Sequence, residues 1–282
     1  AQGQAQGQEE DVQKEMSPSD IRKVQQLLVD LHFNPGPVDG IYGPRTRRAL
    51  DAATRNNVEA IAPAHLEGVD VSSYQGVVDW QRVANAGIKF AWVKCSEGTT
   101  HKNKRRQQNL DGARGAGIAV GGYHFARPDT YQRLNMEDAR REAKNFLDCY
   151  GTVQPDDLVP ALDLESGLLK NDHDYNLMWV LEWAATVEDA LGVTPIIYTA
   201  RWASTSRILR ASRELLDRLA EFPLWWAEYR PAKTVAPTKN LAPWRAWDVW
   251  QWTGGGKVAG IEGKCDRNRM KAGSLDKLKV NA

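Results

Sequence analysis

From Glu67 to about Met270 the chain alternates short runs of β-branched and aromatic residues with amphipathic helical runs, and this alternation restricts the fold more than any other feature. Parallel strands need crossovers long enough to hold a helix, so strand–helix alternation over about 200 residues argues for a parallel sheet. The strand candidates are GVDVS (68–72), FAWVKCSEG (90–98), AVGGYHFA (119–126), LVPALDLES (158–166), PIIYTA (195–200), LWWAEY (224–229) and WDVWQW (247–252). A last short one lies near Lys264 to Arg267, and helical patterns run over Asn135 to Tyr150 and Asn176 to Leu191. About eight strands in this length fit a closed β/α barrel near the small end of its size range. Helical signals are weak between the last strands, which predicts an irregular barrel there.

Active sites of such barrels lie at the C-terminal ends of the strands. Acids and aromatics crowd those ends here: Asp70 in the first strand, Glu97 ending the second, Tyr123 and His124 in the third, Asp163 and Glu165 in the fourth. Tyr198 follows in the fifth, Glu228 and Tyr229 in the sixth, and Asp266 in the last. Asp163-Leu164-Glu165 is the sharpest local signal. Residues i and i+2 of a strand share a face and lie about 6.6 Å apart, so both carboxylates should look into the barrel mouth. Two carboxyls in different surroundings are what glycoside cleavage needs, one to protonate the leaving oxygen and one to stabilise positive charge on the sugar. The like charge of Asp163 should keep Glu165 protonated to higher pH. Eleven Trp residues are many for 282 residues. Trp225, Trp226, Trp250 and Trp252 on the late strands offer sugar-stacking faces, and at least half of the eleven are expected in the core.

The N-terminal part reads differently. Residues 1–16 are Gln, Gly, Ala and acid with little to bury, a flexible tail. Ser17-Pro18-Ser19-Asp20 has the chemistry of a helix start. Ile21, Val24, Leu27, Leu28 and Leu31 then fall on one face. Asn34 to Gly40 is turn chemistry, and Gly43-Pro44 opens a second helix with Thr46, Ala49, Leu50 and Ala53 inward. This sets domains at 17–60 and 67–282 with a linker over 61–66.

The run VQQLLVDLHFNPGPVDGIYGPRTRRAL resembles the peptidoglycan-binding domain of wall hydrolases, a three-helix module. That resemblance implies Asp39, Gly40, Tyr42 and Thr46 as wall-binding residues. The family's aromatic-Gln pair after the second helix is replaced by Ala52-Ala53-Thr54. Residues 67 to 270 are similar to glycoside hydrolase family 25, the lysozymes or N-acetylmuramidases. The similarity rests on GVDVSSYQG, KCSEGT, GGYHF, ALDLE, IIYT, LWWAEY, WQWT and GKVAGIEGKCDRNRM in that order. It implies an α/β fold, an irregular TIM-like barrel of about five β/α units finished by three strands. It also implies Glu165 as general acid, Asp163 as its transition-state partner, and Asp70 and Asp266 on the muramic-acid side. Glu97, Tyr123, Tyr198, Trp225, Tyr229 and Trp250 are expected to bind substrate. Cys265 stands where the family has Val before the last Asp.

These readings define an enzyme cleaving the β-1,4 bond between N-acetylmuramic acid and N-acetylglucosamine. It is expected to be monomeric, with bacterial peptidoglycan as partner, no cofactor and no metal. His32, His65, His101, His124 and His173 form no HExxH pair, which argues against a zinc amidase or peptidase. Ala161 stands where a chitinase-type barrel would carry a further Asp. The main rival from another class is a non-catalytic wall-binding protein on a degenerate barrel, against which all four acids speak. Lys plus Arg total 37 against 36 Asp plus Glu, so no nucleic-acid partner is expected, and the cluster Lys102 to Arg106 reads as a solvated loop. No apolar run is long enough to insert in a membrane. Cys95, Cys149 and Cys265 are too few and too scattered for a disulfide framework and fit synthesis in a reducing compartment. A phage endolysin made in the host cytoplasm is favoured over a secreted bacterial autolysin of the same chemistry; either acts at the cell wall.

Overall fold

A computed structural model describes residues 17–30, 33–61, 65–128, 136–229, 237 and 240–280. The chain divides into two compact units, Ala1–Ala64 and His65–Ala282.

In the first unit, α1 (Pro18–Asp30) and α2 (Pro44–Ile61) pack through Leu28, Ala49 and Ala53, with Val24, Phe33 and Leu50 at the margin. The Asp20 amide donates to Ser17 Oγ at 3.2 Å, the expected cap. Leu27, expected inside, is exposed, and Gln25 is buried in its stead. The reason is the turn. Gln25 donates to Asp39 Oδ1, the Ile41 carbonyl and Thr46 Oγ1 and accepts from the Gly40 amide, so one amide side chain satisfies a loop that apolar atoms could not. Gly40 sits at φ 82°, a conformation that favours glycine. Leu31 and the 1–16 tail lie outside the described residues, and the described part of this unit holds two helices rather than three. The linker is shorter than expected, since α2 reaches Ile61 and the first strand starts at His65.

In the second unit, eight strands close a barrel: β1 (His65–Val71), β2 (Ile88–Glu97), β4 (Ala119–Phe125), β5 (Ala161–Asp163), β6 (Ile196–Ala200), β7 (Leu224–Ala227), β8 (Val249–Gly256) and β9 (Cys265–Lys271). A two-residue β3 (His101–Lys102) pairs antiparallel on β2, so the basic cluster begins in a short hairpin rather than a plain loop. From β1 to β8 all ring neighbours are parallel, while β9 is antiparallel to both β8 and β1. Only eight residues separate β8 from β9, too few for a helical crossover, so the chain must reverse. The crossovers carry α3 (Trp80–Asn85), α4 (Arg106–Gly115), α5 (Glu137–Tyr150) and α6 (His173–Leu191). A helical stretch over Arg201–Ile208 and α7 (Arg213–Leu219) complete the fifth crossover, and a final turn, α8 (Leu275–Leu278), follows β9. Five β/α units and three closing strands result.

The period of two along each strand splits the core into two layers. Phe90, Trp92, Tyr123, Ala161, Tyr198, Trp225 and Met270 fill the barrel interior. Ala91, Val93, Leu162, Ile197, Trp226 and Trp250 pack outward under the helices. The aromatic interior needs glycine opposite it. A Cβ on Gly68 would lie 2.3 Å from the Phe90 ring, and one on Gly121 would lie 2.7 Å from the Trp92 indole nitrogen. The fourth strand is far shorter than the apolar run that announced it. Pro160 has no N–H to give to a ladder, and after Asp163 the chain leaves it. The Leu164 amide still donates to the Tyr198 carbonyl at 2.9 Å, and Thr199 Oγ1 donates to the Leu164 carbonyl at 3.0 Å. Glu165 therefore stands past the strand on anchored backbone.

Candidate active site

The inward-facing parity that fills the barrel continues past the core and delivers polar side chains to the mouth. On β1, Gly68 is followed inward by Asp70 and Ser72; on β2, Phe90 and Trp92 by Lys94; on β4, Tyr123 by Phe125. On β5, Ala161 is followed by Asp163 and Glu165, and on β7, Trp225 by Tyr229. Asp70, Ser72, Lys94, Tyr123, Phe125, Asp163, Glu165, Trp225 and Tyr229 line one pocket of 190 Å³, together with Tyr198, Gln251 and Asp266. Because β9 runs antiparallel, its beginning lies beside the ends of the other strands, and Asp266 pairs in register with Asp70. Four carboxylates distant in sequence meet here.

Their surroundings differ. Asp70 Oδ2 accepts from Gln251 Nε2 at 2.9 Å and from Asn268 Nδ2 at 2.8 Å. Asn268 is itself set by the Trp225 indole N–H at 2.8 Å. Burial, then the charge of Asp266, push the Asp70 carboxyl well above the usual carboxylate range, and a hydrogen bond links the two side chains. Burial raises the Asp266 carboxyl as well, and the bond to Asp70 opposes that rise. Asp163 is also raised well above its ordinary value by burial and by the charges of Glu165 and Asp70. Its Oδ1 has no hydrogen-bond partner among the described residues. Glu165 is raised by burial first; the Tyr198 hydroxyl, 3.4 Å from Oε2, opposes the rise, and the charge of Asp266 supports it. Burial and the charge of Asp266 thus raise Glu165, and the charge of Glu165 in turn adds to the rise at Asp163.

Among the described residues one cation lines this pocket. Lys94 lines the pocket, donates to Glu97 Oε2 at 2.6 Å and lies 4.5 Å from the centre of the Phe125 ring. Its charge favours the ionised forms of both Asp163 and Glu165. Glu97, expected to touch substrate, does not line the pocket. It holds Lys94 on one side and Arg127 on the other, Nε to Oε1 at 2.8 Å, and Arg127 reaches Ser166 Oγ at 3.0 Å. Sequence reasoning missed Lys94 and Gln251, and strand parity was the signal that would have found both.

Parity also corrects the tryptophans. Trp250 and Trp226 face the helices and are fully buried, with the Trp250 indole donating to the Glu228 carbonyl at 2.9 Å, so neither can stack on a sugar. Trp225 is nearly buried, stacked on Trp92, and only edges the pocket. His124 likewise turns outward. It sits between Ser96 Oγ and Glu142 Oε2, each at 2.7 Å, in the order of a nucleophilic triad. Burial pushes the His124 ring down to about 3 and the Glu142 carboxyl up to about 8, so the three form a sealed neutral chain behind β4 and not a catalytic base. In the first unit Thr46 and Gly40 are buried and hold the turn, while Asp39 is exposed and Tyr42 half-buried.

Among the described residues no group of three or more His, Cys, Asp or Glu is placed to hold a metal ion, and no helix is long and apolar enough to cross a membrane. All three cysteines are free and buried.

A β/α barrel whose mouth gathers a partly buried carboxyl, raised above its ordinary value, beside further carboxyls carries the equipment of a glycoside hydrolase. The sequence pattern of glycosyl hydrolases family 25 matches residues 69–261, and the chain belongs to that family. The pattern of a peptidoglycan binding domain matches residues 17–57. Lysozyme M1 of Streptomyces globisporus is 30% identical over 254 residues, covering 86% of this chain and 81% of that protein. The bacterial lysozyme from Streptomyces coelicolor superimposes with a TM-score of 0.64 at 28% identity, over 76% of this chain and 96% of that one. The CTP1L endolysin does so with a TM-score of 0.62 at 25% identity, over 75% and 68%.

Proposed function

We propose that the chain hydrolyses the β-1,4 bond between N-acetylmuramic acid and N-acetylglucosamine in bacterial peptidoglycan. The observation that carries this is the contrast within one narrow pocket. Burial raises the Glu165 carboxyl above its ordinary value, and beside it Asp163 has an oxygen with no donor among the described residues. A carboxyl that lacks a donor favours its neutral form until one arrives, and a sugar acetamido N–H is such a donor. In this reading Glu165 protonates the leaving oxygen and then, as carboxylate, takes a proton from water. Asp163 orients the acetamido group, whose carbonyl oxygen attacks the anomeric carbon, and Asp70 with Asp266 bounds the muramic-acid side.

Asp163 and Glu165 come from one strand end and approach the sugar from similar sides. An inverting pair would need about 6.5–9.5 Å and opposite faces, and an enzymic nucleophile about 5–5.5 Å across the ring. Assistance by the substrate's own acetamido group removes that demand and gives net retention. The test is mass spectrometry of digested peptidoglycan combined with proton NMR of the first-formed product. Reducing-end muramic acid released as the β-anomer is expected. Reducing-end glucosamine, or initial α-anomer from the β-linked substrate, would refute the assignment.

The second part of the proposal concerns the first unit, which holds the enzyme on insoluble wall without entering the chemistry. Tethering raises the effective concentration of the barrel at the surface. Removing residues 1–62 should lower retention on intact sacculi by about tenfold or more and leave cleavage of soluble fragments within about twofold. Equal retention of full-length and truncated protein in a pull-down would reduce the unit to a structural appendage. The free buried cysteines and the superposition on an endolysin support a phage endolysin as the biological role, made in a reducing host cytoplasm and acting at the cell wall.

A further inference from the structure

Of the eleven tryptophans, nine are buried and Trp252 is half-buried, while Trp202 alone is open, with 53% of its surface exposed. An exposed indole in a chain that buries nine of the others and half-buries the tenth asks for an explanation. Trp202 stands directly after β6, on the stretch whose Ser204–Ile208 part is π-helical, a local irregularity frequent at functional sites. Its carbonyl accepts from Thr205 Oγ1 at 3.2 Å and Ser206 Oγ at 2.6 Å, so hydroxyls of the next turn pin the backbone that carries it.

Trp202 lines a second cavity, of 440 Å³, that is continuous with the acidic pocket. The two share Glu165, Tyr198 and Tyr229 as a common wall. None of Asp70, Asp163 and Asp266 reaches the second cavity, and its other acid, Glu228, is ion-paired with Arg201 at 3.2 Å. Tyr229 is 62% exposed, so two aromatic side chains present open surface in a cavity whose exposed lining is mainly apolar. About 440 Å³ lies within the range of pockets that take a small ligand.

We propose that this cavity holds the leaving-side N-acetylglucosamine residue, stacked on Trp202 with Tyr229 at its edge. The inference rests on the glycosidase reading above and deepens it. A general acid must stand between the sugar that gains positive charge and the sugar that departs. Three carboxylates surround the first pocket, where that charge develops, so the neighbouring cavity that shares only the proton donor belongs to the departing sugar. The C–H face of a hexosamine is apolar and the indole face is electron-rich, the pairing that an open Trp offers. Arg201, half exposed, keeps guanidinium N–H groups beyond its Glu228 bond for the ring hydroxyls or acetamido oxygen.

The experiment uses full-length protein and two soluble substrates free of peptide stems. One is a GlcNAc–MurNAc oligosaccharide; the other is the β-glycosyl fluoride of the GlcNAc–MurNAc disaccharide, whose leaving group is a single atom. Trp202→Ala should lower kcat/KM on the oligosaccharide by about tenfold, chiefly through KM, and change fluoride hydrolysis by less than about twofold. Trp202→Phe should restore most of the loss, because a smaller aromatic face remains. Equal losses on both substrates would place Trp202 in a structural or donor-side role and overturn the proposal, as would no loss on either. A loss seen only when the glycan carries its peptide stem would assign the cavity to the peptide and overturn it too. Wild-type protein that cleaves neither substrate would instead remove the glycosidase reading itself, a separate outcome from a selective Trp202 effect.

Discussion

Glu165→Gln is expected to reduce wall lysis by about 10²–10⁴-fold, the range that general acid–base catalysis supplies, while the barrel stays folded. Gln keeps the shape and the contact with the Tyr198 hydroxyl but has no proton to give to the leaving oxygen. The wild-type pH profile fixes the sign. Burial and the charge of Asp266 hold the Glu165 carboxyl above its ordinary value, so the acid form survives to higher pH than in a free glutamate. Activity should fall as pH rises through that raised value, since ionised Glu165 cannot protonate the leaving group. In Glu165→Gln the residual rate should lose that alkaline limb. Reducing-end release measured against pH checks both statements. Near-normal release by a folded mutant, or a wild-type rate still climbing above about pH 9, would sink Glu165 as the acid.

Asp163→Asn should cost about 10²–10³-fold, the loss typical when a preorganised electrostatic partner of the transition state is removed. The two mutants are distinguishable. With substrate bound, the acetamido N–H donates to Asp163 and favours its anion, whose charge opposes ionisation of Glu165; neutralising Asp163 then makes Glu165 easier to ionise in the complex. Asp163→Asn should therefore keep an alkaline limb but move it to lower pH, whereas Glu165→Gln should have none. Asn also places an amide where a carboxyl oxygen had no partner, so thermal unfolding should show little loss of stability or a gain. A loss of less than tenfold, or an unmoved limb, would separate Asp163 from the reaction.

Much of the site was legible because barrels put their chemistry at strand ends and acids are conspicuous there. Asp70, Asp163 and Glu165 could each be placed from the apolar run that precedes or surrounds it, whereas Asp266, in the polar stretch KCDRNR, was placed by the resemblance to family 25. What sequence reading got wrong came from treating a strand as one surface. Trp250 and Gln251 are neighbours in WDVWQW, yet Gln251 reaches Asp70 and Trp250 packs under the outer layer. Glu97 ends its strand in a position that looks catalytic, but the bulge in the β2–β4 register after Lys94 leaves Lys94 in the pocket and Glu97 beside it. The same confusion of face with neighbourhood put Leu27 inside the first unit, where the turn instead required the amide of Gln25.

The sequence by itself determined the alternation that forces a parallel barrel, the reversal forced by the short β8–β9 link, and the identity of the acids at the strand ends. These are local matters of hydrophobic period, connection length and residue chemistry. Tertiary structure decided which acids share a pocket, which of them are raised above their ordinary values, which tryptophan stays open and which lysine faces the cluster. Those depend on burial and on distances between strands far apart in the chain. The energy of a buried charge is set by its surroundings rather than by its own sequence position.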